Sequence, residues 1–263
     1  MKPEAKAFTL IEVLVTVVIV ALLVTAGASA WGWSRNRGEI SVSTANLHHL
    51  ATANLAYAAD HAGYFCPAQE PFNLRRWHGS RKQSSDEFEA TGGFLSPYLG
   101  NDRRLETCPL MKRILVGKVS FEDGAGGYGY NATYIGGTPD DTYSPASLGD
   151  IPYPSRTVMF TTTGFSREEG TQEYPFSEPF YAPSPDGGIA HELQPSVHFR
   201  ARGKALVAWC DGHVSQEEPF IFRETNFYGG DNQKASIGWF GPAEENGYWN
   251  PNSRAALEGW KKP

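Results

Sequence analysis

The sequence predicts an α+β protein in which one long N-terminal helix packs on a small antiparallel β-sheet with large loop insertions. The first observation is an apolar stretch from Phe8 to Trp31, in which Glu12 is the single formally charged residue. The second is a helical spacing of apolar residues that continues to residue 62. The third is a pair of β-rich segments beyond residue 150, separated by glycine- and proline-rich sequence.

The apolar stretch is long enough to span a membrane. A helix over residues 8–31 would be roughly 36 Å long, whereas the hydrocarbon core of a bilayer is about 30 Å thick. The stretch is too long for the apolar part of a secretory signal, and no cleavage site of small residues stands out after it. We therefore predict a leader at residues 1–7 and a transmembrane helix at residues 8–33.

The same helix is expected to continue outside the membrane. No proline lies between Phe8 and Tyr64, and apolar residues recur on one helical face. We predict that residues 34–62 form an amphipathic continuation, packed on a head domain at residues 63–263. Gly63 is a natural terminating residue, because glycine adopts the left-handed conformation at helix ends without strain. The apolar face consists of Ile40, Thr44, Leu47, Leu50, Ala51, Leu55, Ala58 and Ala62.

The start of the span resembles a known processing site. Phe8-Thr9-Leu10-Ile11-Glu12 after a short leader with two lysines is similar to the N-terminal segment of type IV pilins and type II secretion pseudopilins. The resemblance implies that a prepilin peptidase cuts between Ala7 and Phe8 and that Phe8 is then N-methylated. The residue before the cut is usually glycine in that family, and this chain has Ala7 instead.

Glu12 has two interpretations. A carboxylate inside an apolar helix costs roughly 2.5–3.5 kcal/mol at the bilayer centre and less near the interface, so Glu12 would reach the headgroups from one turn inside. The family resemblance implies a second role, in which Glu12 pairs with the N-terminal ammonium of a neighbouring subunit during assembly. Two buried opposite charges are less unfavourable together than either is alone.

The resemblance also implies a location, a function and partners. Lysines and arginines are balanced around the span, with Lys2 and Lys6 before it and Arg35 and Arg37 after it, so they do not set its orientation. The family places the leader in the cytoplasm and the head domain in the periplasm, on a single-pass inner-membrane anchor. The expected function is a structural filament subunit that meets prepilin peptidase, other pilin-like subunits and an inner-membrane assembly platform. The net charge of −6 without a basic stripe argues against nucleic acid as a partner.

Scattered motifs in the amphipathic helix and the head resemble a large-headed, pseudopilin-like group encoded by many planctomycete and verrucomicrobial genomes. The matching passages are Asn46-Leu47, Asp60-His61, Cys108-Pro109, Tyr128-Gly129-Tyr130-Asn131 and Asp211-Gly212-His213-Val214. Asp211-Gly212 favours a tight type I′ hairpin between two strands. The group has a histidine upstream of this hairpin, and His198 is the candidate here, although it lies farther from Asp211 than in the group's pattern.

Three cysteines leave the redox state of the head open. Cys66 and Cys108 each precede a proline, and an extracytoplasmic location permits a disulfide between them. Such a bridge would stabilise the fold by roughly 3–4 kcal/mol in the chain-entropy model. The alternative is that both thiols are reduced and buried. Cys210 is left over in either case, and the bridge is slightly favoured.

No cofactor and no metal centre are predicted. The three cysteines lack the paired spacing of a zinc site. Asp123, Asp140 and Asp141 lie in or near glycine-rich turns and would suit calcium, but their spacing is not that of an EF-hand loop.

An alternative function is a membrane-anchored extracytoplasmic protein that binds carbohydrate or hydrolyses a substrate. An enzyme would need acid, base or nucleophilic groups in one pocket, and the candidates are Asp60, His61, His191, His198 and Asp211. A binding module would need an exposed aromatic platform, for which the candidates are Trp239, Trp249 and Trp260. The filament subunit needs no catalytic residue.

Overall fold

The computed structural model describes residues 9–100, 105–115, 122–137, 144–184, 186, 188–223, 225–227 and 229–260, with the backbone alone at 27–30. It confirms the predicted α+β class: a long N-terminal helix followed by a small antiparallel sheet region. Helix α1 runs without a break over Leu10–Asp60, which is 51 residues. At 1.5 Å per residue it is roughly 76 Å long.

The two halves of α1 lie in different surroundings. Every described side chain from Leu10 to Ala26 is exposed, whereas Leu47, Leu50, Ala51 and Ala58 are completely buried. The buried half packs mainly on the β-sheet, through the face that the apolar spacing predicts. The bare half is long and apolar enough to cross a membrane.

The head is built from short strands. Those within the described residues are β1 (Tyr128–Tyr130), β2 (Val158–Thr162), β3 (Phe165–Arg167), β4 (Gly170–Gln172), β5 (Tyr181–Pro183), β6 (Ile189–Glu192), β7 (Val197–His198), β8 (Ala205–Trp209), β9 (Val214–Glu217) and β10 (Ile237–Gly238). Helix α2 covers Arg254–Glu258, and single 3₁₀ turns lie at Ala90–Gly92, Ser96–Tyr98, Leu148–Asp150, Pro154–Arg156 and Glu244–Asn246.

One four-stranded antiparallel sheet organises the head, in the order β1-β2-β8-β9. Pairs β3–β4, β5–β6 and β7–β10 form three separate two-stranded antiparallel sheets. Both faces of the central strands are buried, which explains the continuous apolar run of β8. Leu206 and Ala208 face the core shared with α1, while Val207 and Trp209 face a second core that contains Trp239 and Trp249.

A buried polar network ties α1 to the sheet. The Asn54 side chain donates a hydrogen bond to the Tyr130 hydroxyl (3.0 Å) and accepts one from the Cys66 backbone N–H (2.9 Å). The Tyr130 hydroxyl donates in turn to the Cys66 carbonyl (3.0 Å). The three residues come from the helix, from β1 and from the chain just after the helix, so the network fixes their relative positions.

The predicted disulfide is not formed. Cys66, Cys108 and Cys210 are all free and buried. Cys66 lies beside Asn54, whereas the Cys108 thiol is 3.1 Å from the Ser43 hydroxyl. Ser43 and Asn54 are roughly 16 Å apart along the helix axis. A disulfide needs Cα atoms within about 7 Å, so the two cysteines contact the helix too far apart to bridge.

The prediction of a type I′ turn between β8 and β9 is also wrong. Asp211 and Gly212 do connect β8 to β9, but the loop has three residues, and Gly212 alone among them has a positive φ (+91°). The Gly212 N–H donates to the Trp209 carbonyl (2.9 Å), and the Trp209 N–H donates to the His213 carbonyl (3.0 Å). This is a three-residue loop with glycine at the left-handed position. His198 is not part of the hairpin, because it belongs to β7 and pairs with Ile237 of β10.

The C-terminus of α1 lies two residues before the predicted end at residue 62. The helix ends at Asp60, and Ala62 (φ +54°) takes the left-handed position predicted for Gly63 (φ +88°). The Gly63 N–H donates to the Ala58 carbonyl (2.8 Å), as in a Schellman motif. An alanine therefore carries the strain that glycine would avoid.

We expect Ala62→Gly to raise the free energy of unfolding by up to about 1 kcal/mol, because it relieves the left-handed alanine. Gly63→Ala should lower it by about 1 kcal/mol, because a Cβ is strained there although nothing lies within 4 Å of it. Urea unfolding of the full chain in detergent micelles measures both. A loss of stability in Ala62→Gly would contradict this assignment.

Candidate functional site

The N-terminal end of α1 is capped by its own side chains. The Thr9 hydroxyl accepts a hydrogen bond from the Glu12 N–H (3.3 Å), and the Glu12 carboxylate accepts from the Thr9 N–H (2.8 Å) and hydroxyl (2.7 Å). This is a capping box, which satisfies backbone donors that a helix start leaves unpaired. Ala7 and Phe8, the predicted processing residues, lie outside the described residues.

Beyond this cap, α1 presents a continuous apolar surface. Leu10, Leu14, Val17 and Leu23 are all more than half exposed, and the rest of the described chain does not cover them. An apolar helix of this length needs lipid or other helices around it. The arrangement fits a single-pass membrane anchor.

The five candidate acid and base residues do not form one site. Asp60 and His61 lie at the end of α1, where Asp60 accepts a hydrogen bond from Tyr98 (3.0 Å) and His61 stacks on Tyr57. Asp211 lies in the β8–β9 loop, 2.6 Å from the His213 ring. The other two candidates, His191 on β6 and His198 on β7, belong to different small sheets.

His198 is unsuited to acid–base work. It is buried, and burial together with the nearby Arg200 guanidinium lowers the pKa of its imidazole well below the ordinary value. It therefore stays neutral at physiological pH. Its role is structural: its backbone carbonyl accepts a hydrogen bond from the Thr162 hydroxyl (3.0 Å).

The three candidates for the aromatic platform that a binding module would need do not form one. Trp239 and Trp249 are completely buried in the second core, and Trp260 is half-buried with its ring edge against Phe220. Sequence position near the C-terminus does not make these rings accessible, because the tail folds back over the central sheet.

Among the described residues, no cluster of three metal-binding side chains occurs. Asp123 lies in the glycine-rich turn before β1, while Asp140 and Asp141 lie outside the described residues. The neighbouring Glu173 carboxylate is occupied by the chain itself, since it accepts hydrogen bonds from the Gly124 and Gly126 N–H groups (3.0 Å each).

The segment that continues from β4 towards β5 forms the wall of a pocket. Residues 171–178 run extended beside β1: the Tyr130 N–H donates to the Pro175 carbonyl (3.0 Å), and the Ser177 N–H donates to the Tyr130 carbonyl (2.8 Å). Successive side chains alternate between the core and the outside. Thr171, Glu173, Pro175 and Ser177 are buried, and Gln172, Tyr174, Phe176 and Glu178 are half-buried on the opposite face.

The half-buried face of the 171–178 segment lines a cavity of about 500 Å³, here called the head pocket. Phe165 lies beside Tyr174 with ring centroids 5.3 Å apart, and Tyr174 meets Phe176 at 5.8 Å. Gln194 and Arg76 also line the head pocket. This pocket was not predicted from the sequence. The alternation of residues 171–178 between two faces could have indicated an extended segment. Polar residues on both faces and the proline at position 175 hide this pattern in the sequence.

Two charged groups of the head pocket have defined partners. The Arg76 guanidinium, almost completely buried, pairs with both oxygens of the Glu122 carboxylate. The Glu178 carboxyl accepts a hydrogen bond from the Tyr174 hydroxyl (2.7 Å). Burial raises the pKa of Glu178 to about 7, although this hydrogen bond opposes the shift. Glu178 is therefore a mixture of donor and acceptor forms near neutral pH.

Comparison with known proteins identifies the N-terminal segment. Residues 3–28 match the family described as the prokaryotic N-terminal methylation motif, which is the signature of type IV pilins and pseudopilins. The resemblance drawn from Phe8-Thr9-Leu10-Ile11-Glu12 is thus confirmed. No curated protein and no solved structure matches the chain.

Glu178 should make stability depend on pH. The pKa of Glu178 is about 7 in the folded chain and 4.5 ordinarily. Below pH 4.5 its carboxyl is protonated in both the folded and the unfolded chain, so it does not lower the free energy of unfolding. As the pH rises through this interval, the unfolded chain ionises first and native stability falls. Glu178→Gln has no carboxyl to ionise at this position, so it does not show this fall in stability. We expect its stability advantage over the parent to be about 1–3 kcal/mol larger at high than at low pH, measured by urea unfolding at pH 4 and pH 8. Parallel pH profiles would rule out this assignment.

Proposed function

We propose that the protein is a structural subunit of a type II secretion or type IV pilus-like filament, matured by prepilin peptidase. The observation that carries the proposal is the methylation motif at residues 3–28 on a helix whose first half is uncovered. The motif implies peptidase processing and assembly with pilin-like subunits. Before assembly, the bare half of α1 would hold the subunit in the inner membrane with its head in the periplasm.

The buried half of α1 supports this role mechanically. Ile40, Leu47, Leu50 and Ala58 are packed on the head, so the helix and head form one unit through the Asn54 network. The first half then projects from the head as a continuous helix. Removal from the membrane would expose its apolar side chains, and packing against other subunits in a filament would cover them again.

Glu12 supplies the electrostatic part of the proposal. In the single chain its carboxylate is held by Thr9, the residue that follows Phe8. Cleavage before Phe8 would create an ammonium group, and a neighbouring subunit's ammonium would be the natural partner for a carboxylate in an apolar bundle. An assembly platform in the inner membrane is the expected partner for this step.

Maturation can be tested on the protein from native membranes. We expect intact mass measurement and N-terminal sequencing to give a chain that starts at N-methylated Phe8. Ala7→Gly, which restores the residue usual in the family, should be processed at least as completely. A chain that still begins at Met1 in both forms would defeat the proposed processing.

The role of Glu12 can be separated into charge and helix capping. Glu12→Gln keeps a side chain able to cap the helix but removes the charge, and Thr9→Ala removes the cap but keeps the charge. We expect Glu12→Gln to insert in the membrane normally yet lower filament yield at least about tenfold, since an unpaired buried ammonium costs several kcal/mol.

Thr9→Ala should assemble like the parent, because helix capping contributes only about 1 kcal/mol. Filament yield is measured by shearing and sedimentation of cells, with membrane content of the subunit as the control. Normal filaments from Glu12→Gln would show that charge pairing is not required.

A further inference from the structure

The head pocket has the shape of a small-molecule site. Its volume of about 500 Å³ lies within the range of known ligand pockets. It is formed by the head alone, away from the exposed half of α1, so its occupant is independent of the filament role. None of the residues proposed for processing or assembly lines it.

One wall of the head pocket is aromatic. Phe165, Tyr174 and Phe176 form a chain of adjacent rings, with centroid separations of 5.3 and 5.8 Å. Tyr174 and Phe176 are half-buried, on the face of the 171–178 segment that lines the pocket. Aromatic rings offer apolar faces with little conformational entropy to lose, and the C–H faces of sugar rings pack on such surfaces.

The remaining walls contain both hydrogen-bond donors and acceptors. Gln172 and Gln194 each carry an amide that can donate and accept. The Gln194 side-chain oxygen is buried, and no described residue donates a hydrogen bond to it. A buried acceptor without a donor costs about 1–3 kcal/mol, so a turn of the Gln194 amide toward the cavity, where a ligand hydroxyl can donate to its oxygen, would be favoured.

Three of the charged groups that line the head pocket, Arg76, Glu122 and Glu192, are paired within the chain, which favours a neutral ligand. Arg76 is already held by Glu122, and Glu192 at the pocket rim accepts a hydrogen bond from Arg223 (2.7 Å). A charged ligand would have to compete with these internal partners. A neutral ligand with several hydroxyls can form hydrogen bonds in the pocket while the ion pairs stay intact. Glu178, half-buried beside Tyr174, adds one more group that can donate when protonated.

The pocket wall is held in place before any ligand arrives. Three buried indole N–H groups donate to consecutive parts of the 171–178 backbone: Trp77 to the Pro175 carbonyl (2.9 Å), Trp249 to the Ser177 carbonyl (3.0 Å) and Trp239 to the Glu178 carbonyl (3.0 Å). A preorganised wall reduces the conformational entropy lost on binding.

From these features we propose that the head pocket binds a neutral saccharide, stacked on Tyr174 and Phe176 and hydrogen-bonded to Gln172 and Gln194. The mixed donor and acceptor set distinguishes this ligand class from protonated amines, whose ammonium groups only donate. The filament subunit would then carry a saccharide-binding head.

The test uses the full chain in a detergent without a sugar headgroup, titrated calorimetrically with cellobiose, maltose, xylobiose and diacetylchitobiose. Digalacturonate and glucosamine serve as charged probes. We expect at least one neutral disaccharide to bind with a Kd of about 1 mM or tighter. Phe176→Ala and Gln194→Ala should each weaken that binding about tenfold or more.

Gln194→Ala is the decisive variant, because the Gln194 oxygen makes no hydrogen bond within the described chain, so its removal should not lower the unfolding temperature. Phe72→Ala is the matched control, since this ring is 81% exposed and lies outside the head pocket. Absence of binding by all four neutral sugars, binding by the charged probes alone, or unchanged binding by Gln194→Ala would each overturn the proposal. None of these outcomes bears on processing at Phe8 or on Glu12.

Discussion

The amide of Asn54 is the point on which the arrangement of helix and head depends. It is completely buried and contacts β1 through Tyr130 and the chain after the helix through Cys66. Each hydrogen bond contributes only about 1 kcal/mol net, but removing the amide would leave buried partners unsatisfied at about 1–3 kcal/mol each. Apolar packing could tolerate some sliding of α1 over the sheet. The directional bonds of Asn54 do not.

The head places its aromatic residues mainly in the interior. Phe160, Tyr130 and Trp77 pack together on the α1 side of the sheet, and Trp239 packs on Phe180 on the other side. Both faces of a four-stranded sheet are thus covered although its strands are short. The loops between strands can then be long, because the sheet and its two cores fix where each loop begins and ends.

The features predicted correctly are those that depend on local sequence. A single charge in a long apolar run and a 3.6-residue spacing are properties of one segment, so helix α1 and the methylation motif were both predictable. The strands on either side of Asp211-Gly212 followed from composition in the same way. The turn between them did not, because loop length depends on how Trp209 and His213 pair across the strands.

The incorrect predictions concern residues whose partners are distant in sequence. Whether Cys66 and Cys108 meet depends on where each docks on α1, which their Cys-Pro context does not encode. Whether Trp239 and Trp249 lie at the surface or in the interior was left open, since their loop-like sequence gives no sign of the second core. The 171–178 segment was missed because a buried Glu173 breaks the apolar alternation. Only the structure shows that its carboxylate is held by Gly124 and Gly126.

The tryptophans behind the head pocket also set the order in which the molecule can be completed. Their hydrogen bonds to the 171–178 segment span 98, 72 and 61 residues of sequence. Contacts between residues so far apart in sequence form late in folding, because the entropy cost of closing a long loop comes before the stabilisation from the contact. A chain synthesised only as far as residue 238 has its entire membrane helix but lacks two of the three indole donors. The anchor is thus available early in synthesis, while the pocket wall is completed only after Trp249 has been synthesised.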